Sequence, residues 1–279
     1  MNPAQAEPPA SNRSGSHLVG LDIDGTLLVT GRDPTPAVVA EFRAAQNAGH
    51  KLVLATGRSL VGALRAARLL EMTDGWIIAS NGAVVARMTG AKAEVTEMHP
   101  VDAEAVVDYV SYVRPELCMA TEIVGIGFHV WGSFPIRELN GHQISVSELS
   151  GLWANPTPRL AIYGPNAQSL VPSIRAGGMT AIRTRPDWVD VTPDKVSKAT
   201  ALEKLRRDLG IPKEATVAIG DSENDIPMLR WATRGVAMGQ SPDSVRSQAP
   251  YRTKSVFDDG AALILRGLAR IRATAPIAH

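Results

Sequence analysis

Two carboxylates that are separated by one residue, Asp22 and Asp24, follow a short apolar run near the N-terminus. That run, which starts at Leu18, has the unbroken apolar character of a parallel strand covered on both faces. If the extended backbone continues, the two side chains point in similar directions. Two acids this close repel each other unless a cation or a shared proton relieves them. The alternative is an ordinary turn, in which the acids and Gly25 fill their usual turn positions.

A second acidic segment, Gly220–Asp225, has the same context, because it follows a strand predicted over 216–219 and precedes a helix. In a parallel sheet both segments lie at the carboxyl edge, where ligands bind. Asp221 and Asp225 would then join the first pair. Four acids at one edge favour a hard divalent cation, and Mg²⁺ suits oxygen ligands best. The alternative, that the segment only caps the following helix, explains one acid at most.

Two further features offer contacts for an anion. Thr56 and Gly57 follow a strand predicted over 51–55 and precede a helix, so a hydroxyl and free backbone N–H groups would point to one place. Lys198, at the start of another predicted helix, could bind phosphate and offset the repulsion among the acids. Taken alone, the first feature would be read as an ordinary loop between a strand and a helix, and Lys198 as a solvated lysine on a helix surface. Together with the acids they form a set for phosphoryl transfer, in which an aspartate nucleophile is a known route.

These side chains need a scaffold that brings four segments to one sheet edge. Predicted strands alternate with predicted helices, the first of which Thr35 caps, Pro36 begins and Gly49 follows. This order predicts an α/β fold, with a doubly wound parallel-sheet core, Rossmann-like in its winding, and an inserted α+β cap domain. The expected parts are a flexible tail (1–17), a core (18–84 and 190–271), a cap (85–189) and a C-terminal tail (272–279).

The composition excludes several classes of protein. The 279 residues include 29 Lys plus Arg and 28 Asp plus Glu, so the net charge of +1 provides no strong basic field for nucleic acid or an anionic membrane. With one cysteine, Cys118, the chain cannot form an intramolecular disulfide or a Cys-rich zinc site. The sequence has neither the roughly 18–20 apolar residues of a membrane helix nor the apolar segment of a secretory signal. We therefore expect a cytoplasmic protein that binds neither nucleic acid nor membrane.

The four chemical features occur in the order typical of one superfamily. The sequence resembles the haloacid dehalogenase (HAD) superfamily of phosphohydrolases, whose motifs DxDGT, Thr or Ser, Lys, and GDxxND match Asp22–Thr26, Thr56, Lys198 and Gly220–Asp225. Two later segments, Gly235–Gly239 and Asp259–Ala261, resemble its Cof-type members. The long gap between the second and third motifs resembles subclass IIB, which carries a C2-type cap.

The resemblance implies a role for each matched residue. Asp22 would attack phosphorus and become phosphorylated, and Asp24 would protonate the leaving oxygen and then activate water. Phosphoryl oxygens would contact Thr56, Gly57, Lys198 and Asn224. Mg²⁺ would be held by the Asp22 side chain, the Asp24 backbone carbonyl and Asp221. Asp225 would orient Lys198 or a metal-bound water.

The expected function is therefore Mg²⁺-dependent hydrolysis of a small phosphorylated metabolite, such as a sugar phosphate or a cofactor phosphate, through an aspartyl-phosphate. Two alternatives stay open at this point. The same residues could transfer the phosphoryl group to another hydroxyl, as a phosphotransferase or phosphomutase does. The chain could also be a regulator that binds a phosphorylated ligand without turning it over. The sequence leaves the substrate, the residues that select it and the oligomeric state undetermined.

Overall fold

The computed structural model describes residues 15–271, which form two β-sheets with helices packed on them. The strands are β1 (Leu18–Leu21), β2 (Lys51–Ala55), β3 (Asp74–Ala79), β4 (Val84–Thr89), β5 (Lys92–Met98), β6 (Cys118–Ile123), β7 (Gly127–Trp131), β8 (His142–Ser145), β9 (Leu160–Tyr163), β10 (Met179–Arg185), β11 (Trp188–Pro193), β12 (Thr216–Gly220), β13 (Arg234–Ala237) and β14 (Tyr251–Arg252). The α-helices are α1 (Pro36–Asn47), α2 (Leu60–Leu69), α3 (Ala103–Val113), α4 (Val171–Ala176), α5 (Lys198–Asp208), α6 (Ile226–Trp231), α7 (Asp243–Arg246) and α8 (Gly260–Ala269). The predicted C-terminal tail and residues 1–14 of the predicted N-terminal tail lie outside the described residues.

The larger sheet carries the segments that the sequence analysis singled out. Over residues 15–271 its order is β14–β13–β12–β1–β2–β3–β4–β5, with parallel pairing from β14 to β3 and antiparallel pairing of β4 and β5. Leu18 of β1 lies opposite Lys51 of β2 and Thr216 of β12. The carboxyl ends of these three central strands therefore meet at one edge, and the predicted α/β class with a parallel-sheet core is confirmed.

Helices cover both faces of this sheet. Successive side chains of a strand point to opposite faces, and in β1 the side chains on both faces are apolar, so each face needs a covering layer. Val19 and Leu21 pack in one apolar cluster with α1, α2 and α8, whereas Leu18 packs in another with α5 and α6. A Cβ at Gly20 would lie 2.8 Å from a methyl group of Leu202 in α5. The missing side chain at Gly20 thus lets α5 approach β1, and the first residue of α5 reaches the end of that strand.

The smaller sheet has the order β10–β11–β9–β6–β7–β8 within the described residues. One face packs on α3 and α4 through an apolar cluster that includes Val107 and Ile174. The other face carries aromatic rings, with Phe134 and Tyr163 each packed against Trp188. This mixture of a mainly antiparallel sheet with two helices is an α+β arrangement.

The pairing of the strands places the division between the two sheets differently from the expected boundaries. Strands β4 and β5 pair with β3 in the larger sheet, and β11 pairs with β9 and β10 in the smaller one. The expected boundaries at 84/85 and 189/190 therefore fall inside β4 and β11. We propose residues 99–193 as the inserted unit and the remaining described residues as the core unit.

None of the helices between residues 15 and 271 combines the length and apolar character that crossing a bilayer requires.

A buried histidine pair beside β1 predicts how the fold responds to acid. His17 is 3% exposed, and its backbone N–H donates to Nδ1 of His50 at 3.1 Å. Burial, together with the charges of His50 and Arg234, lowers the pKa of His17 from 6.5 to about 4. The His17 imidazole takes up a proton near pH 6.5 in the unfolded chain but only near pH 4 in the folded chain. The contribution of His17 to the free energy of unfolding is therefore fully present above that interval and is lost as the pH falls through it.

We therefore expect the temperature midpoint of unfolding to decrease as the pH is lowered from about 7 to about 5. His17→Gln removes this titration and should make the decline shallower. His142→Gln is the control, because His142 is exposed on β8. Equal declines for the wild type and His17→Gln would contradict the assignment.

Candidate active site

Lys198 connects two of the acidic segments at the carboxyl edge of the larger sheet. It is the first residue of α5, which the Ser197 side chain caps. Its Nζ donates to Oδ1 of Asp22 and to Oδ1 of Asp225, each at 2.6 Å. The side chains of Lys198 and Asp225 are 0% exposed and that of Asp22 is 6% exposed. The structure therefore brings three of the predicted site residues into direct contact, away from water.

Asp221 completes a cluster of three carboxylates. One oxygen from each of Asp22, Asp221 and Asp225 lies within 4.8 Å of the other two. Burial raises the pKa of Asp22 well above its ordinary value, the negative charges of Asp225 and Asp221 raise it further, and Lys198 opposes them. Burial and the charge of Asp225 likewise raise the pKa of Asp221 to about 6. One ammonium group thus leaves the cluster with an excess of negative charge that is costly to bury.

This donor set fits a hard divalent cation, because carboxylate oxygens are the ligands that Mg²⁺ and Ca²⁺ take and a cation would remove the excess charge. The approach of the acidic loops depends on Gly25, which has a φ of 76°. A Cβ at Gly25 would lie 2.2 Å from Oδ2 of Asp221. The predicted ligands Asp22 and Asp221 lie in this cluster. The Asp24 side chain does not, so the expectation that four acids converge was wrong: three do, and the fourth pairs with Arg58. The backbone contact to the metal that the resemblance implies for Asp24 stays a prediction.

We expect divalent cations to stabilise the protein through this cluster. A cation that binds only the folded state raises stability by about 2.7 kcal/mol at 100 times its dissociation constant. Addition of Mg²⁺ should therefore raise the midpoint of thermal unfolding, and a chelator should reverse the shift. Asp221→Asn should lose most of it, whereas Asp208→Asn, at an exposed position of α5, should keep it. An equal shift in wild type and Asp221→Asn would place the cation elsewhere.

The loop after β2 lies against the loop that precedes α6. The Thr56 side chain is buried, and its Oγ1 accepts a hydrogen bond from the Arg58 backbone N–H at 3.1 Å. Asn224 Nδ2 donates to Oδ1 of Asn81 at 2.9 Å. A Cβ at Gly57 would lie 3.2 Å from that Asn81 oxygen and 3.6 Å from the Asn224 nitrogen. Gly57 and Asn224, predicted from separate motifs, thus lie side by side, and Asn81 joins them.

Asp24 is held apart from the acidic cluster by an arginine. Arg58 donates through Nε and Nη2 to the two carboxylate oxygens of Asp24, at 2.6 and 2.7 Å. The Asp24 side chain is 33% exposed, in contrast to Asp22. A bidentate pair of this kind fixes the plane of the carboxylate as well as its position. The two acids of the first motif therefore occupy different environments, one buried against an ammonium and one accessible beside a guanidinium.

Sequence reasoning assigned no role to several residues of this site. Arg58 directly follows the predicted residues Thr56 and Gly57, and Asn81 lies just after β3, but nothing in the local sequence indicates their partners. Glu122 and Arg159 reach the loop after β2 from the inserted unit. Their partners lie 62 and 102 positions away in the chain, and no local spacing encodes such contacts.

Comparisons with known proteins agree with the motifs. A sequence model of the haloacid dehalogenase-like hydrolases matches residues 19–125 and 166–265. The 5-amino-6-(5-phospho-D-ribitylamino)uracil phosphatase YitU of Bacillus subtilis is 25% identical over 261 residues, which are 90% of this chain and 96% of that protein. A solved HAD phosphatase from Bacteroides thetaiotaomicron has a TM-score of 0.77 and 25% identity, covering 94% of this chain and 98% of its own. A solved HAD subclass IIB sugar phosphatase shares the fold, with a TM-score of 0.74, 24% identity and coverage of 90% and 98%.

Proposed function

The chain belongs to the haloacid dehalogenase-like hydrolase family and is a phosphatase, and we propose that it hydrolyses the phosphomonoester of a small metabolite with the help of Mg²⁺. The observation that carries the proposal is the carboxylate of Asp22. It lies at the end of β1, almost fully buried, 2.6 Å from the ammonium of Lys198 and beside two more acids. A carboxylate that is oriented and shielded from water in this way is suited to act as a nucleophile.

The proposed reaction has two steps in which Asp22 and Asp24 exchange roles. In the first, an Asp22 oxygen attacks phosphorus, the ester P–O bond breaks, and the leaving oxygen takes a proton from Asp24. In the second, Asp24 takes a proton from water, the water oxygen attacks phosphorus, and the Asp22–phosphorus bond breaks. Inorganic phosphate leaves and both carboxyl groups return to their starting state. Asp24 is the more accessible of the two acids, so it can exchange a proton with the leaving oxygen and with water, whereas Asp22 is shielded from water.

The remaining site residues would bind and orient the phosphoryl group. Thr56 offers its hydroxyl and Gly57 its backbone N–H, because the Thr56 N–H donates to the Ile78 carbonyl. Asn224 and Lys198 offer side-chain donors. Asp22, Asp221 and the Asp24 carbonyl would hold Mg²⁺, which when bound neutralises charge between the nucleophile and the phosphoryl oxygens. Asp225 accepts a hydrogen bond from Lys198 and holds its ammonium in place. Arg58 orients the Asp24 carboxylate toward the accessible side of the site.

A cleft between the two units supports a small substrate. Its volume is about 590 Å³, and Asn224 and Ile226 line it from the core unit. Arg175 and Arg183 line it from the inserted unit, which we propose acts as a cap domain. This size suits a metabolite rather than a phosphoprotein. Each guanidinium already donates within the inserted unit, Arg175 to the Ala181 carbonyl and Arg183 to the Gln168 side chain. Their remaining N–H groups favour a leaving group with several oxygen acceptors, as sugar and cofactor phosphates have, and YitU is named for a ribityl phosphate of this kind.

The first test is release of inorganic phosphate from a panel of sugar phosphates, cofactor phosphates and an aryl phosphate, with Mg²⁺ and with chelator. We expect release that depends on the metal and is fastest for one class of small phosphate. Transfer of the phosphoryl group to a second hydroxyl, without free phosphate, would favour a phosphotransferase instead. Tight binding of a phosphorylated metabolite without turnover would overturn the hydrolase proposal.

A further inference from the structure

The inserted unit places a buried carboxylate directly on the loops of the active site. Glu122 lies near the end of β6, and its side chain is 0% exposed. Its Oε1 accepts a hydrogen bond from the Leu60 backbone N–H at 3.1 Å, and its Oε2 accepts one from the Ser80 hydroxyl at 2.5 Å. Both donors belong to the core unit. The carboxylate therefore keeps these two hydrogen bonds only while the inserted unit rests on the core.

One of these contacts continues into the phosphate-binding loop. Leu60 is the first residue of α2 and follows directly on Thr56–Ser59. A carboxylate that accepts from the first N–H of a helix is stabilised by the helix dipole and fixes the direction in which that helix starts. The position of Glu122 therefore affects the position of the segment that carries Thr56, Gly57 and Arg58.

The other contact continues into Asn81. Ser80 and Asn81 are consecutive residues with φ of 50° and 56°, a left-handed conformation that side-chain-bearing residues adopt rarely and only when their surroundings hold them there. The Ser80 hydroxyl donates to Glu122, and the side-chain Oδ1 of Asn81 accepts a hydrogen bond from Asn224. A continuous series of contacts therefore leads from the inserted unit to the last motif of the site.

Arg159 adds a second link between the units. Its Nη1 donates to the carbonyl of Gly57 at 2.8 Å, and it lies 3.5 Å from both Glu122 and Asp190. The indole N–H of Trp188 donates a hydrogen bond to Oδ1 of Asp190 at 3.1 Å. These charged side chains are all less than a tenth exposed. Buried charges hold each other in narrow geometries because a displaced one loses its partner without gaining water.

We propose that Glu122 is a positioning residue that couples the seating of the inserted unit to the geometry of the phosphate-binding loops. When the inserted unit is seated, Glu122 holds the start of α2 and the left-handed turn at Ser80 together, and Gly57, Asn81 and the residues around them take their places. When it lifts, both loops lose an acceptor. The catalytic consequence rests on the proposed phosphatase function, whereas the coupling itself does not.

Hydrogen exchange of the full-length protein tests the coupling directly. The amides of Ser80 and Asn81 donate to the carbonyls of Arg58 and Thr56, so their acceptors are untouched by a change at Glu122. In Glu122→Ala we expect both amides to exchange at least about tenfold faster, with α8 unchanged. Glu116→Ala is the matched control, because Glu116 is exposed just before the same strand and pairs with Arg114 inside the inserted unit.

Kinetics with an aryl phosphate and Mg²⁺ test the consequence. Glu122→Ala should lower kcat/KM about 10- to 100-fold, because small displacements of a site cost this much. Glu122→Gln, which keeps the shape and one acceptor, should recover most of the loss, and Glu116→Ala should match the wild type. Ser80→Ala removes the same contact from the core side and serves if Glu122→Ala does not fold.

For a wild type that releases phosphate, the proposal requires both effects, and the absence of either overturns it. Faster exchange of the Leu60 amide alone would mean that Glu122 is only a local acceptor. Accelerated exchange throughout the core, α8 included, would mean a general loss of stability rather than positioning. If the wild type releases no phosphate from any ester, the proposed function fails, and exchange at Ser80 and Asn81 still decides whether the units are coupled.

Discussion

Replacing Asp22 by asparagine is expected to reduce phosphate release by at least about 10³-fold while the protein stays folded. The amide has nearly the shape of the carboxylate but cannot attack phosphorus. It also removes one of the three negative charges that surround Lys198, so the variant should be no less stable than the wild type. This combination separates loss of the nucleophile from loss of the fold. The measurement is the initial rate of phosphate release with Mg²⁺, together with thermal unfolding of both proteins.

The control for this prediction is Asp33→Asn, because Asp33 is exposed in the loop before α1. It should release phosphate at the wild-type rate. If Asp22→Asn also retained more than about a tenth of the wild-type rate, Asp22 would not be the nucleophile. If its rate fell together with its unfolding midpoint, the contact with Lys198 would have to be regarded as structural in the first place.

The fold of the core unit could be predicted from sequence because its signals are local. Apolar runs such as Leu18–Leu21 and Thr216–Ile219 have the composition of covered parallel strands, and they pair as expected. The side chain of Thr35 accepts from the Val38 N–H, Pro36 begins α1, and Gly49 follows with a φ of 93°. Each of these signals is contained within a few residues. The division between the units was harder, because β4 and β5 join the larger sheet through hairpin pairing that composition does not report.

The candidate site divides in the same way. The acids Asp22, Asp221 and Asp225 could be expected to meet, because each follows a strand and strand ends share an edge. The pairing of Asp24 with Arg58 and the contact of Glu122 with Ser80 could not. The first joins residues 34 positions apart and the second joins residues 42 positions apart. Several other arginines or glutamates would have fitted the local pattern equally well. The first contact depends on how two loops of the core unit meet and the second on how the two units pack, and only the folded chain determines either.

Lys198→Met is expected to cause the largest loss of stability of any substitution in the site. The side chain is fully buried between Asp22 and Asp225, whose negative charges raise the pKa of its ammonium although burial alone would lower it. Methionine fills the space but leaves the carboxylates without their cation. Removing one partner of a buried ion pair costs about 3–5 kcal/mol. The unfolding midpoint should fall by about 10 °C for a protein of this size, and phosphate release should fall with it.

The pH dependence of this loss distinguishes buried charge from simple misfit. Without Lys198, the pKa of the Asp22 carboxyl should lie further above that of the unfolded chain, because Lys198 is the group that opposes its rise. Groups whose folded-state pKa is raised contribute stability below the unfolded pKa and lose it as the pH rises. The deficit of Lys198→Met should therefore be smaller near pH 5 than near pH 8, and Mg²⁺ should reduce it. Lys204→Met, on the exposed face of α5, should change stability by less than about 0.5 kcal/mol. A deficit that is independent of pH and of Mg²⁺ would mean that the lysine acts through packing, and that charge balance does not hold this site together.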